Sequence, residues 1–121
     1  MRLKACGAQV WVWDLSPGKL DGVRYQTVDV TKADQIAKAI GEIGAASRID
    51  IVVNNAGITG GSSAVVDLDP RDWRRIIEVN LTSVFEVSRQ VVPHLLRSPA
   101  GRMVSIASLA GKEGTPMLSA Y

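Results

Sequence analysis

The 121-residue sequence predicts an α/β fold, a doubly wound parallel sheet with helices on its faces. Three observations carry that prediction. Short runs of aromatic and β-branched residues alternate with stretches of helical periodicity, the pattern of a parallel sheet with helical crossovers. The stretch Ile49-Asp50-Ile51-Val52-Val53 is apolar and β-branched but for Asp50 and stops at Asn54-Asn55-Ala56-Gly57, as an inner strand buried on both faces would. Polar residues then recur at the ends of successive predicted strands: Asp14, Asp29, Asn54-Asn55 and Ser108. In open α/β sheets ligands bind outside the carboxyl ends of the strands, so this rim is the candidate site.

Taken in order, Met1–Ala8 reads as the end of a helix with Gly7 as its C-cap. Val10–Trp13 is a strand ending in Asp14, its Trp11 and Trp13 sharing one face against a helix. Ser16-Pro17-Gly18 breaks the pattern, and Arg24–Val28 forms the next strand, ending in Asp29. Thr31, with Asp34 three residues on, is expected to cap a helix whose buried face is Ile36, Ala37, Ile40 and Ile43. Gly44–Arg48 leads back to the Ile49–Gly57 strand and turn. Thr59–Ser63 is a flexible loop, either a lid or a passive connection. Asp69-Pro70 starts a long helical pattern, with the acid at N-cap and proline in the first turn. From Leu81 its apolar positions, Val84, Phe85, Val91, Val92, Leu95 and Leu96 with small Ser88 among them, predict one wide buried face, bent locally at Pro93. Arg102–Ile106 is the last strand. It leads through Ala107-Ser108 and a Gly/Lys/Glu loop to Ser119-Ala120-Tyr121.

Composition narrows the function classes. Hydrophobic content of 46% with 21% charged residues is that of an ordinary globular domain, and the net charge is only +2. Arg71, Arg74 and Arg75 are the one tight basic group, better read as a solvated helix face than as a nucleic-acid surface. No apolar run reaches the ~18 residues of a membrane span, and Met1–Gln9 lacks a signal-peptide core, so the expected location is the cytoplasm. With one cysteine, Cys6, and one histidine, His94, neither a thiolate metal cluster nor a zinc hydrolase or Ser/His triad can be assembled.

At the strand ends, Asp14 has two readings that the residues leave open. It is a turn-former before Ser16-Pro17, or it is a carboxylate that accepts the hydroxyls of an adenosine ribose and repels a 2′-phosphate.

These features together resemble the short-chain dehydrogenase/reductase family over essentially the whole sequence. Gly7-Ala8 with Val10–Asp14 is similar to that family's first-helix end and second strand. Asp29-Val30 resembles its adenine-binding acid-apolar pair, and Asn54-Asn55-Ala56-Gly57 its most recognisable motif. Asn80 in Val79-Asn80-Leu81 resembles its helix-kinking asparagine, and Ser108 stands thirteen residues before Tyr121 as the family pattern has it. Gly111–Tyr121 looks most like the 3-oxoacyl-carrier-protein reductase and sugar or polyol dehydrogenase branches. The resemblance implies a Rossmann-like fold and a secondary alcohol or ketone as substrate. It implies NAD or NADP as cofactor, NAD being preferred if Asp14 reads the ribose. Asp14, Leu15, Asp29, Val30, Asn54, Asn55, Ala56 and Gly57 would bind the cofactor. Tyr121 would be the acid/base, Ser108 rather than Ser105 the hydrogen-bond partner positioning the substrate carbonyl, and Asn80 the holder of a relay water through its backbone. It also implies a homotetramer built through the long helix, with no nucleic-acid or membrane partner.

The sequence departs from the family at both ends. The family opens with a central strand and a Thr-Gly-x-x-x-Gly-x-Gly turn that holds the pyrophosphate; this sequence begins after them. The family also carries a lysine four residues past its tyrosine, the nearby cation a phenol needs to work near neutral pH; this sequence stops at Tyr121. The missing strand belongs between those ending at Asp14 and Asn54, so two open edges are expected within the sheet. The 121 residues form a single incomplete dinucleotide-binding domain on this reading. Alone they are expected neither to fold stably nor to turn over, being a piece of a longer protein or a truncated reading frame. The rival readings are a non-catalytic remnant or nucleotide-binding module, and a flavodoxin-like doubly wound domain.

Overall fold

A computed structural model describes residues 2–16 and 18–121; Met1 and Pro17, part of the expected first helix and first loop, lie outside the described residues. Helix α1 (Arg2–Ala5) ends as the sequence predicts. Gly7 takes φ +86°, Gly7 N–H donates to Lys4 C=O and Ala8 N–H to Leu3 C=O, the two bonds of a Schellman cap. Strands β1 (Trp11–Asp14) and β2 (Arg24–Thr27) pair in parallel with Trp11 opposite Arg24, and β3 (Ile51–Asn54) and β4 (Arg102–Ser105) pair in parallel with Ile51 opposite Arg102. These are two separate two-stranded sheets. Among the described residues nothing pairs between β1 and β3, and the two open edges expected from the sequence stand there.

One core holds both sheets. Helices α2 (Ala33–Ala46) and α4 (Ser83–Leu95) pack together. Ile36, Ile40, Ile43, Ile49, Val87 and Val91 form the buried cluster, with Trp11 and Trp13 from β1 and Val52 and Met103 from β3 and β4 against it. The tryptophans therefore do pack on a helix. Trp13 Nε1 also donates to Gln26 Oε1 at 2.7 Å.

Four local expectations are corrected. Thr31 does not cap α2, whose N-cap is Lys32 with no side-chain cap bond. The Thr31 N–H and hydroxyl instead both donate to Asp29 Oδ1, at 2.9 and 2.7 Å, a local turn that competes with capping for the same side chain. Ala37 is exposed and Ala39 is the buried alanine, because α2 presents the i, i+3, i+4, i+7 face of Ile36, Ala39, Ile40 and Ile43. The β3 run is not buried on both faces. Val52 enters the core while Ile51 and Val53 are each 45% exposed, since side chains alternate along a strand and, among the described residues, only one face of this sheet meets helices. Finally, the long helical stretch divides. Helix α3 (Pro70–Ile77) passes into a π-helical turn, Glu78–Thr82, before α4. Its core face is the narrow line of Ser83, Val87 and Val91, whereas Phe85 is 63% and Leu96 80% exposed. The Asp69 cap is as predicted: its carboxylate accepts from Arg71 N–H at 2.7 Å, with Pro70 in the first turn. Arg71 in turn holds the Asp69 carboxyl below the usual carboxylate range.

Candidate dinucleotide and carbonyl site

Parallel pairing puts the carboxyl ends of neighbouring strands side by side. In the first sheet, Val28 N–H donates to Asp14 C=O at 3.0 Å, so Asp14 and Asp29 end adjacent strands. Asp14 is exposed, and its Oδ1 accepts from Ser16 N–H at 2.9 Å. The side chain thus shapes the turn, as one of its two readings requires, yet Oδ2 has no hydrogen-bond partner among the described residues and can still accept from a ligand. Leu15 beside it is largely exposed.

Asp29 is held more tightly. Both Thr31 donors meet Oδ1, and the Asp29 N–H donates to Gln35 Oε1 at 2.8 Å. The Thr31 hydroxyl, and then its N–H, keep the Asp29 carboxyl below its ordinary range, so it stays an acceptor. Among the described residues, Asp29 Oδ2 and the Val30 N–H have no partners. An acceptor one residue from a backbone donor complements the amine donor and ring-nitrogen acceptor of an adenine edge.

In the second sheet, Ile106 N–H donates to Asn54 C=O at 2.9 Å. The Asn54 carboxamide turns across the sheet, donating to Ser105 Oγ at 3.3 Å and Ser88 Oγ at 3.5 Å. Ser105 and Ser88 are therefore partners of Asn54, a role that nothing in their spacing announces. Asn55, Ala56 and Gly57 remain exposed at the strand end.

Asn80, in the π-turn, holds the far side of this motif. Its Oδ1 accepts from Ile58 N–H and its Nδ2 donates to Ile58 C=O, both at 2.8 Å. A Cβ on Gly57 would lie 3.3 Å from that Oδ1. Glycine at this position thus answers first to the approach of Asn80. The π-turn itself closes with Ser83 N–H donating to Glu78 C=O, and the buried Ser83 hydroxyl donates to Val79 C=O at 2.6 Å. Such insertions recur at functional sites.

Ser108 caps a short 3₁₀ turn, Leu109–Gly111, its Oγ accepting from Ala110 N–H at 3.3 Å. The hydroxyl proton is left without an acceptor among the described residues. Half-buried Tyr121 shares a small cleft with Thr59, Gly61, Leu68, Ile76 and Met117. Ser108 and Tyr121 make no direct hydrogen bond. What joins the tyrosine segment to the Asn-Asn-Ala-Gly side is a parallel bridge between Ser63 and Leu118, with Ser63 N–H donating to Met117 C=O at 3.0 Å.

The short chain dehydrogenase sequence pattern matches residues 7–121. The chain belongs to the short-chain dehydrogenase family. A 2-dehydro-3-deoxy-L-rhamnonate dehydrogenase (NAD(+)) of Sphingomonas sp. is 36% identical over 99% of this chain and 51% of its own length. The 3-oxoacyl-acyl-carrier-protein reductase of Thermotoga maritima is 37% identical over 87% of this chain and 42% of its own. Among solved structures, a variant of actinorhodin polyketide ketoreductase with NADPH superposes with a TM-score of 0.87 at 30% identity, covering 99% of this chain and 51% of that one. The chain spans about half the length of the relatives it matches, and its fold is the incomplete α/β Rossmann arrangement that the two open-edged sheets describe.

Proposed function

We propose that these residues are a single incomplete dinucleotide-binding domain of an NAD(P)-dependent oxidoreductase that interconverts a secondary alcohol and a ketone, with NAD preferred. The observation that carries this reading is the open acceptor-donor pair of Asp29 Oδ2 and Val30 N–H beside the exposed Asp14 carboxylate. It offers adenine and ribose recognition at one strand edge. The nicotinamide, when bound, supplies or accepts the hydride.

The remaining roles belong to this chain. Asp14, with Leu15 flanking it, accepts from the ribose hydroxyls, and its charge disfavours a 2′-phosphate. Asp29 and Val30 hold the adenine edge. Asn54, Asn55, Ala56 and Gly57 form the opposite wall, kept in shape by Asn80 and Ser105. Negative charge grows on the substrate oxygen during reduction, and the unengaged Ser108 hydroxyl proton is suited to meet it while Tyr121 gives up the phenolic proton. The Asn80 backbone carbonyl then holds a water that returns that proton from solvent. We extend the reading to a cytoplasmic homotetramer, which cell fractionation and light scattering would test. Leu81, Phe85, Val92 and Leu96, exposed along one side of the π-turn and α4, would form its interface.

The test is the full-length gene product with NADH and a panel of 3-oxo esters, ketones and sugars, following loss of the reduced-nicotinamide absorbance. Turnover that falls by about 10²-fold or more in Tyr121→Phe supports the assignment. Tight NAD binding without turnover on any panel member would leave a nucleotide-binding module and sink the enzyme reading.

A further inference from the structure

Met117 is the one non-glycine residue with positive φ among the described residues, at +68°. It stands third in Thr115-Pro116-Met117-Leu118, where Leu118 N–H donates to Thr115 C=O at 3.3 Å. Proline second and a left-handed residue third is the pattern of a type II turn, whose third position favours glycine or asparagine because a Cβ crowds the backbone there. A half-exposed methionine gains no such freedom. Backbone strain of this kind persists only where surrounding contacts over-determine it.

Those contacts run toward the proposed acid/base. The Met117 carbonyl accepts the Ser63 N–H, Leu118 bridges Ser63, and Tyr121 follows three residues later in the cleft it shares with Thr59 and Gly61. The other end of that loop is fixed by Asn80 on Ile58. We propose that Met117 is a positioning residue: its left-handed backbone closes the Thr115–Leu118 turn onto Ser63 and thereby sets where the Tyr121 phenol stands against the Thr59–Ser63 loop. This rests on Tyr121 being the acid/base, and the experiment separates the two claims.

In the full-length protein, Met117→Gly and Met117→Asn accept positive φ, whereas β-branched Met117→Val resists it. With NADH and ethyl acetoacetate, the glycine and asparagine variants should keep kcat within about twofold. Met117→Val should lose about 10- to 100-fold in kcat, the scale of a misplaced catalytic group, with KM for NADH unchanged. Amide hydrogen exchange should speed up in residues 118–121 and 59–63 of the valine variant only. If that variant does not fold, Ser63→Pro, which removes the donor from the other side of the bond, carries the same expectation. Unchanged kcat and exchange in Met117→Val, or equal losses in the glycine and asparagine variants, would overturn the proposal. If Tyr121→Phe keeps full activity, the acid/base reading is what fails. The exchange measurement then decides by itself whether Met117 fixes the segment.

Discussion

Replacing Asn80 by alanine should destabilise the intact protein by removing both bonds to Ile58. Each is 2.8 Å long and half-buried, and a hydrogen bond of this kind contributes about 1 kcal/mol net. The Ile58 N–H is left in a partly desolvated turn, which raises the total to about 2–3 kcal/mol. For a domain of about 150–250 residues each kcal/mol moves the melting midpoint by about 2–4 °C, so a fall of about 4–12 °C is expected. Asn80→Asp sharpens the test. It keeps an acceptor for the Ile58 N–H but sets a second carboxylate oxygen against the Ile58 carbonyl, so it should do no better than alanine. Gly57→Ala should be milder in the Asn80→Ala background than alone, because the 3.3 Å approach that crowds its Cβ is gone. Thermal melts of the full-length variants by circular dichroism measure all three. A midpoint in Asn80→Ala within about one degree of wild type, or a native-like Asn80→Asp, would refute the clamp.

Other consequences are equally direct. Thr31 keeps the Asp29 carboxyl depressed, so its contribution to stability is present above the unfolded carboxyl value of about 4 and is lost as pH falls through the lower folded value. Thr31→Val should raise the Asp29 midpoint in a carbon-13 NMR titration and move acid unfolding to higher pH; an unmoved midpoint would contradict the assignment. Asp14→Ala should shift the kcat/KM ratio toward NADP by about tenfold or more, and an unchanged ratio would mean that the carboxylate only shapes the Ser16 turn. Phe85→Glu places a charge on the exposed side of α4 and should lower the assembly state by light scattering while leaving the melting midpoint of the released protomer nearly unchanged. An intact oligomer would remove this helix side from the interface.

How far the sequence reached differs between local and distant features. Gly7, Asp69-Pro70 and the β-branched runs were legible because caps and strands depend on neighbours a few residues away, and those neighbours are written beside them. Thr31 is ambiguous in the sequence for a related reason: one hydroxyl can serve a helix cap or an Asp29 turn, and local spacing does not choose between them. The family, and the strand-end positions of Asp14, Asp29, Asn54 and Ser108, also came from sequence order alone. Which faces are covered did not. Ile51, Val53 and Phe85 are as apolar as Val52 and Val87, and exposure separates them because burial belongs to the partner surface, which sequence periodicity cannot supply. The clamp of Asn80 on Ile58, the turn of Asn54 toward Ser105 and Ser88, and the left-handed Met117 likewise join residues that only the fold brings together. The sequence by itself determined the strands, their order among the helical stretches, and the family, but not the π-turn that divides the long helix. Tertiary structure alone decided how the Asn54–Gly57 turn is held and how the Tyr121 segment is tied to it, because those bonds close loops of tens of residues.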